Sequence, residues 1–295
     1  MASRACILVG LCLLACACLG EDFDLGDPVG QSLAKTLTNT LTPWPTEITA
    51  LRFGVPPIVD QAQMEDAYGP LAEYLGERLG VPTTLVQASS YADLGRLVKE
   101  GQVDLALFTS ASYVQAEQHE PTLTIILKQV SNGAPAYLGY VYCDADLPAT
   151  ELEDLRGHSI CFVDALSTSG YLYPRMLIKR RGLDPDAFFS KVVFGGNHLA
   201  CLKKVMAGEC DAGATWAGAF TLARDEGLKV HRLRILAKTP WIPFNALAIG
   251  ANLPSAAGER IAQELLGLNT RSPDGQRVIS HAMRLNAWVV VSGWG

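Results

Sequence analysis

From residue 48 onward the chain alternates short apolar runs with longer segments of helical period, and this alternation limits the fold more than any other feature. A strand predicted over 48–55 stops at Pro56-Pro57, and a helix over 66–79, with Leu71, Leu75 and Leu79 on one face, is broken by Gly80-Val81-Pro82. Strand 83–87, helix 91–99, strand 103–108 and a helix opened by Thr109-Ser110 continue the series. The runs 122–130 and 136–143 are strand-like, with Gly133-Ala134-Pro135 between them. A second alternation follows: strand 158–163, helix 171–181, strand 192–194, helix 198–206, strand 211–215 and helix 218–226. The run 231–237 leads back, 244–249 is strand-like, and helices over 256–268 and 274–285 close the chain. Such alternation predicts parallel βαβ units with both sheet faces covered. The expected result is an α/β protein of two lobes, 48–138 with 240–295 and 139–239, with a ligand cleft between them.

The remaining features bound the function. A net charge of -6 and a pI near 5.4, with Lys179-Arg180-Arg181 the densest basic block, exclude a nucleic-acid surface; that block reads as the solvated end of a helix. The leader MASRACILVGLCLLACACLGED carries one arginine and an apolar run too short to span a membrane comfortably, so 1–18 reads as an export signal. Leu13-Leu14-Ala15-Cys16 resembles a bacterial lipobox, making Cys16 the lipidated residue, with Cys18 or ordinary cleavage after Ala17 as alternatives. The stretch 19–47, rich in Asp, Gly, Thr, Asn and Pro, reads as a flexible tether to that anchor. Cys143, Cys161, Cys201 and Cys210 lack C-x-x-C spacing, which argues against zinc and leaves disulfides and buried thiols both open. No metal or cofactor is expected.

The most informative stretch is FVDALSTSGYLYPR, 162–175. A strand-like run ends in Ser167, Thr168 and Ser169, a glycine and a helical pattern, so the hydroxyls join the free amides of a helix start to form an anion seat. Pro174 removes a donor from the first turns, so the helix either starts late, near Gly170, or kinks. The alternative is that Ser167 only caps a surface helix. Thr109 and Ser110, at the corresponding place in the other lobe, form a second hydroxyl-bearing helix start. Ser167 or Ser169, His198 and Asp164 also supply the residue types of a hydrolase. However, no nucleophile-elbow pattern surrounds the serines, and three adjacent hydroxyls suit a seat better than one nucleophile.

Three stretches, SSYADLGRLVKEGQVDLALF, FVDALSTSGYLYPR and VVFGGNHLACLKKVMAGECDAGATW, together resemble the periplasmic phosphonate-, phosphite- and phosphate-binding proteins of ABC importers, over about 51–268. The resemblance implies the bilobal type 2 periplasmic-binding-protein fold, with a two-stranded hinge. It implies an extracytoplasmic, lipid-anchored monomer that captures a small phosphorus oxyanion and passes it to an inner-membrane ABC permease, or presents it to a membrane receptor or kinase. It carries the oxyanion seat onto Ser167, Thr168 and Ser169, the family histidine onto His198, and two cleft tyrosines onto Tyr91 and Tyr137; strand alternation leaves Tyr140 as the alternative to Tyr137. Thr109, Ser110 and Asn245 complete the expected ligand set. Where relatives that hold an aminophosphonate place acids, this chain has Gly218 and Asn245, and Trp216 and Phe244 restrict the space. The expected ligand therefore carries no amine: phosphate, phosphite or a short alkylphosphonate.

Overall fold

The computed structural model describes residues 40–131, 133–279 and 285–289. All of them belong to one compact unit, 39–295. The expected export signal, Cys16, Cys18 and the tether up to residue 39 lie outside the described residues. Among the described residues no helix is long and apolar enough to cross a membrane.

The first series runs β1 (Leu51–Val55), α1 (Gln61–Leu79), β2 (Thr83–Gln87), α2 (Tyr91–Lys99), β3 (Leu105–Phe108), α3 (Ser110–His119) and β4 (Thr124–Ser131). The chain then crosses through β5 (Ala136–Tyr137) into β6 (Gly139–Asp144), β7 (Ser159–Phe162), α4 (Tyr173–Arg180), β8 (Lys191–Phe194), α5 (His198–Met206), β9 (Ala212–Trp216), α6 (Ala217–Asp225) and β10 (Leu233–Lys238). It returns through β11 (Ile242–Pro243) to β12 (Ala246–Ile249), α7 (Ser255–Leu266), α8 (Pro273–Val278) and β13 (Leu285–Val289). One sheet has the order β13-β4-β12-β3-β1-β2 and the other β10-β6-β9-β7-β8, with β5 and β11 pairing between them as the two-stranded hinge.

Neither sheet is purely parallel, which corrects the expectation from alternation. β1 pairs in parallel with β2 and β3, but β12 runs antiparallel to both β3 and β4, because it enters the sheet on the return from the hinge. Likewise β7 is parallel to β8 and β9, while β6, arriving from the hinge, is antiparallel to β9 and β10. The run 136–143 is not one strand: it breaks at Leu138, and its two halves belong to different sheets.

α1 starts earlier than periodicity predicts, because Asp60 accepts from the Gln63 amide and Gln63 reaches back in a capping box; Pro70 sits inside it without ending it. Leu71, Leu75 and Leu79 pack beneath Leu51, Phe53 and Val55, each fully buried leucine contributing about 1.5–3 kcal/mol. The final helix does not reach Leu285 as expected. It ends at Val278, and β13 pairs with the open edge of β4, burying Trp288 in the same core. The end of the expected tether is also docked. The Thr42 amide donates to Gln263 at 2.8 Å, Arg260 donates to the Thr42 carbonyl at 3.2 Å, and Trp44 packs on the core. Cys143, Cys161, Cys201 and Cys210 are all buried free thiols.

Candidate functional site

A cavity of about 40 Å³ lies between the two sheets, larger than the roughly 10–15 Å³ that one water requires. Its wall includes Tyr91, Thr109, Tyr137, Ser167, Thr168, Ser169, His198 and Asn245, all expected from the sequence. The reason they converge is topological. β2, β3, β7, β8 and β9 each end in a turn that starts a helix, and Tyr91, Thr109, the Ser167–Ser169 run, His198 and Trp216 stand at those starts. Amides without helical partners therefore collect at one place, beyond the carboxyl ends of the strands.

Ser167 is both a cap and part of the wall. Its hydroxyl accepts from the Gly170 amide at 3.1 Å, which leaves its proton free to donate. The residues 168–172 form one π-turn, after which α4 begins with Pro174 near its start, the late start that the proline allows. Gly170 is required there: a Cβ would stand 2.5 Å from Val163 Cγ2 and 2.8 Å from Ser167 Oγ. Thr168 Oγ1 accepts the Ala111 amide at 3.1 Å across the cleft, and again its proton remains for another acceptor. Thr109 Oγ1 caps α3 through the Ser112 amide and lies 2.9 Å from Ser112 Oγ.

His198 opens α5 behind the Asn197 cap, and its amide donates to the Ile58 carbonyl of the facing lobe at 3.1 Å. Its Nδ1 lies 2.8 Å from Thr215 Oγ1. Burial lowers its pKa from 6.5 to about 3, so the imidazole is neutral, without the cationic reinforcement that protonation would bring. Tyr137 is pushed up to about 12 by burial, opposed by the Ser169 hydroxyl beside it. Tyr91 is raised further, chiefly by burial and opposed by the Ser167 hydroxyl nearby; its buried hydroxyl makes no hydrogen bond of good geometry within the protein. The Trp216 Nε1–H is likewise buried and unpartnered.

Two expected features sit elsewhere. Ser110 is not in the wall; its hydroxyl donates to the Pro243 carbonyl at 3.3 Å, because the first turn of α3 directs Thr109 inward and the next residue along the lobe surface. Tyr140, the alternative to Tyr137, stacks edge-on against Phe220 instead. The hydrolase arrangement is not assembled: the Asp164 carboxylate accepts the Leu166 amide at 2.8 Å, and the partner of His198 is Thr215.

Sequence reasoning missed Ile58, Tyr68, Gln129 and Ser131 in the wall. Tyr68 is held by the Gln129 Nε2 donor at 3.2 Å. Gln129 and Ser131 were findable, as polar residues at alternate positions near the end of β4. No Lys, Arg, Asp or Glu lines the cavity among the described residues, and none of the described His, Cys, Asp and Glu groups could hold a metal ion. The arrangement offers neutral hydroxyl, imidazole, indole and amide donors, a set suited to a compact anion.

Residues 53–292 match the family described as the periplasmic substrate-binding protein of a phosphonate ABC transporter. A phosphate-import protein, PhnD, of Mycolicibacterium smegmatis is 32% identical over 211 residues, 68% of this chain and 61% of that protein. The phosphonates-binding periplasmic protein of Escherichia coli is 22% identical over 216 residues, 72% of this chain and 64% of that protein, so the chain spans less than two thirds of either. Among solved structures, PhnD1 from Prochlorococcus marinus in complex with methylphosphonate superposes with a TM-score of 0.74 at 19% identity, over 82% of this chain and 93% of that one. A binding-protein component of a phosphonate ABC transporter from Pseudomonas aeruginosa gives 0.76 at 18% identity, over 82% and 81%. The chain therefore belongs to the periplasmic phosphonate substrate-binding proteins of ABC transporters, a family of binding proteins rather than of enzymes.

Proposed function

We propose that this protein captures a small phosphorus oxyanion without an amine, such as phosphate, phosphite or a short alkylphosphonate, and delivers it to an ABC permease. The observation that carries this reading is the convergence of helix-start hydroxyls and amides on a cavity with no charged side chain in its wall among the described residues, the Tyr91 hydroxyl buried there without a hydrogen bond of good geometry. An oxyanion accepts hydrogen bonds from all of these donors, and in a dry site such charge-assisted bonds are strong. A ligand ammonium, by contrast, meets no carboxylate in the wall among the described residues. The names of the relatives, one a phosphate-import protein and one solved with methylphosphonate, support the same ligand class.

In this reading Tyr91, Thr109, Tyr137, Ser167, Thr168, Ser169, His198 and Asn245 contact the ligand. The lobes 48–138 with 240–295 and 139–239 close over it about the hinge, aided by bonds such as Ala111 N–H to Thr168 Oγ1 and Gln63 to Glu226. Export and lipidation at Cys16 hold the monomer at the membrane face beside its permease. Titration calorimetry with phosphate, phosphite, methylphosphonate, 2-aminoethylphosphonate and sulfate tests the ligand. Binding of the first three is expected; preference for the aminated compound refutes the absence of a tail charge, and failure of all the phosphorus compounds refutes the function.

A further inference from the structure

We infer that Trp216 sets which phosphorus oxyanion the cavity accepts, its indole Nε1–H donating to a ligand oxygen while its benzo ring closes the space that a substituent on phosphorus would need. The inference rests on the oxyanion reading above and assigns its selectivity to one side chain.

The donor half follows from an orphaned group. Trp216 is 8% exposed and lines the cavity, yet its Nε1–H has no partner. A buried donor left unpaired is costly, and indole nitrogen cannot accept instead. An oxyanion in the adjoining cavity is the acceptor that removes this cost. Tyr91, whose hydroxyl also makes no hydrogen bond of good geometry within the protein, comes from the facing lobe, so the two donors would clamp the anion from opposite sides.

The closure half follows from Gly218. A Cβ built there would stand 2.1 Å from Trp216 Cζ3 and 2.3 Å from Cη2, so the benzo edge occupies the volume that any side chain at 218 would fill. The Nε1 lies at the other edge of the ring. The orientation is locked from several sides: His198 meets the indole edge-on at 6.5 Å, and Tyr137 does so at 6.1 Å while itself packing on Phe244 at 4.8 Å. Trp216 also ends β9 opposite Gly139, and the next amide, Ala217 N–H, donates to Leu138 O at 2.8 Å in the hinge crossing. The backbone under the ring is thereby fixed at the crossing, and the Tyr137 and His198 rings hold the indole itself. A side chain at 218 and the present indole position exclude one another.

The test is calorimetry on wild type, Trp216→Phe and Trp216→Ala with phosphate, methylphosphonate and propylphosphonate. Trp216→Phe keeps a ring over Gly218 but loses the N–H, and is expected to weaken phosphate and methylphosphonate binding alike, by about 10- to 100-fold, the range for a hydrogen bond to a charged partner. Trp216→Ala is expected to raise the propyl-to-methyl affinity ratio at least about tenfold. Phosphate affinity within twofold of wild type in Trp216→Phe, or an unchanged ratio in Trp216→Ala, overturns the inference while leaving the oxyanion reading intact. Wild type that binds no phosphorus oxyanion overturns both. If the variants do not fold, the wild-type protein still decides: its Trp216 indole N–H resonance, assigned by replacing the other four tryptophans with Phe, is expected to move downfield on adding phosphate, and an unmoved resonance overturns the donor role.

Discussion

Tyr91→Phe separates binding from folding, because it removes an oxygen that has the Ser167 hydroxyl nearby but makes no hydrogen bond of good geometry within the protein. The hydroxyl is buried and the side chain is 1% exposed. In the unliganded protein, deleting it removes a poorly satisfied group, which is expected to leave stability unchanged or raise it by about 1–3 kcal/mol. In the complex it deletes a hydrogen bond to an anion, expected to weaken phosphate binding about 10- to 100-fold. Thermal unfolding with and without phosphate reads both effects. At a phosphate concentration about 1,000 times the wild-type Kd, linkage stabilises wild type by about 4.1 kcal/mol, and a variant binding about 30-fold more weakly by only about 2 kcal/mol. For a chain of this size each kcal/mol is worth about 2–4 °C in Tm, so the phosphate-induced rise should shrink by about 4–8 °C while the unliganded Tm holds or increases. Tyr91→Phe that lowers the unliganded Tm and leaves the phosphate-induced shift intact refutes the reasoning, since the hydroxyl would then serve the fold.

His198 should show itself in the pH dependence of stability. Its folded pKa is depressed by burial to about 3, so above 6.5 it is neutral in both states, and as pH falls below 6.5 only the unfolded chain takes up the proton. Denaturant titrations at pH 7.5 and 5 should show wild type losing about 2 kcal/mol that His198→Asn does not lose; equal losses contradict a buried neutral imidazole. Ser110→Ala should bind phosphate within about twofold of wild type by calorimetry, because its hydroxyl faces Pro243. Thr109→Val should weaken binding and destabilise α3 by about 1 kcal/mol through the lost cap, which far-ultraviolet circular dichroism melts would register. Gly170→Ala should cost about 1–3 kcal/mol in the same melts, since its Cβ meets Val163 Cγ2 at 2.5 Å.

What the sequence determined by itself is what local physics controls. Three leucines spaced by four placed α1 against β1, and the run of hydroxyls, glycine and proline at 167–174 announced a helix start with free amides, because caps and periodicity act within a few residues. The family resemblance rests on the same local stretches, and Tyr91, the Ser167–Ser169 run and His198, which it singled out, all line the cavity. Only the tertiary structure decided the matters that depend on partners remote in the chain. It broke the 136–143 run at Leu138, which put Tyr137 in the wall and Tyr140 against Phe220. It recruited Tyr68 and Gln129, 61 residues apart, into one hydrogen bond at the cavity, and it ended the expected terminal helix at Val278 and added the edge strand β13 after it. The indole of Trp216 over Gly218 belongs to this second class. Two positions apart in sequence, they reveal nothing of who occupies the space until β9, α6 and the hinge bring ring and backbone together.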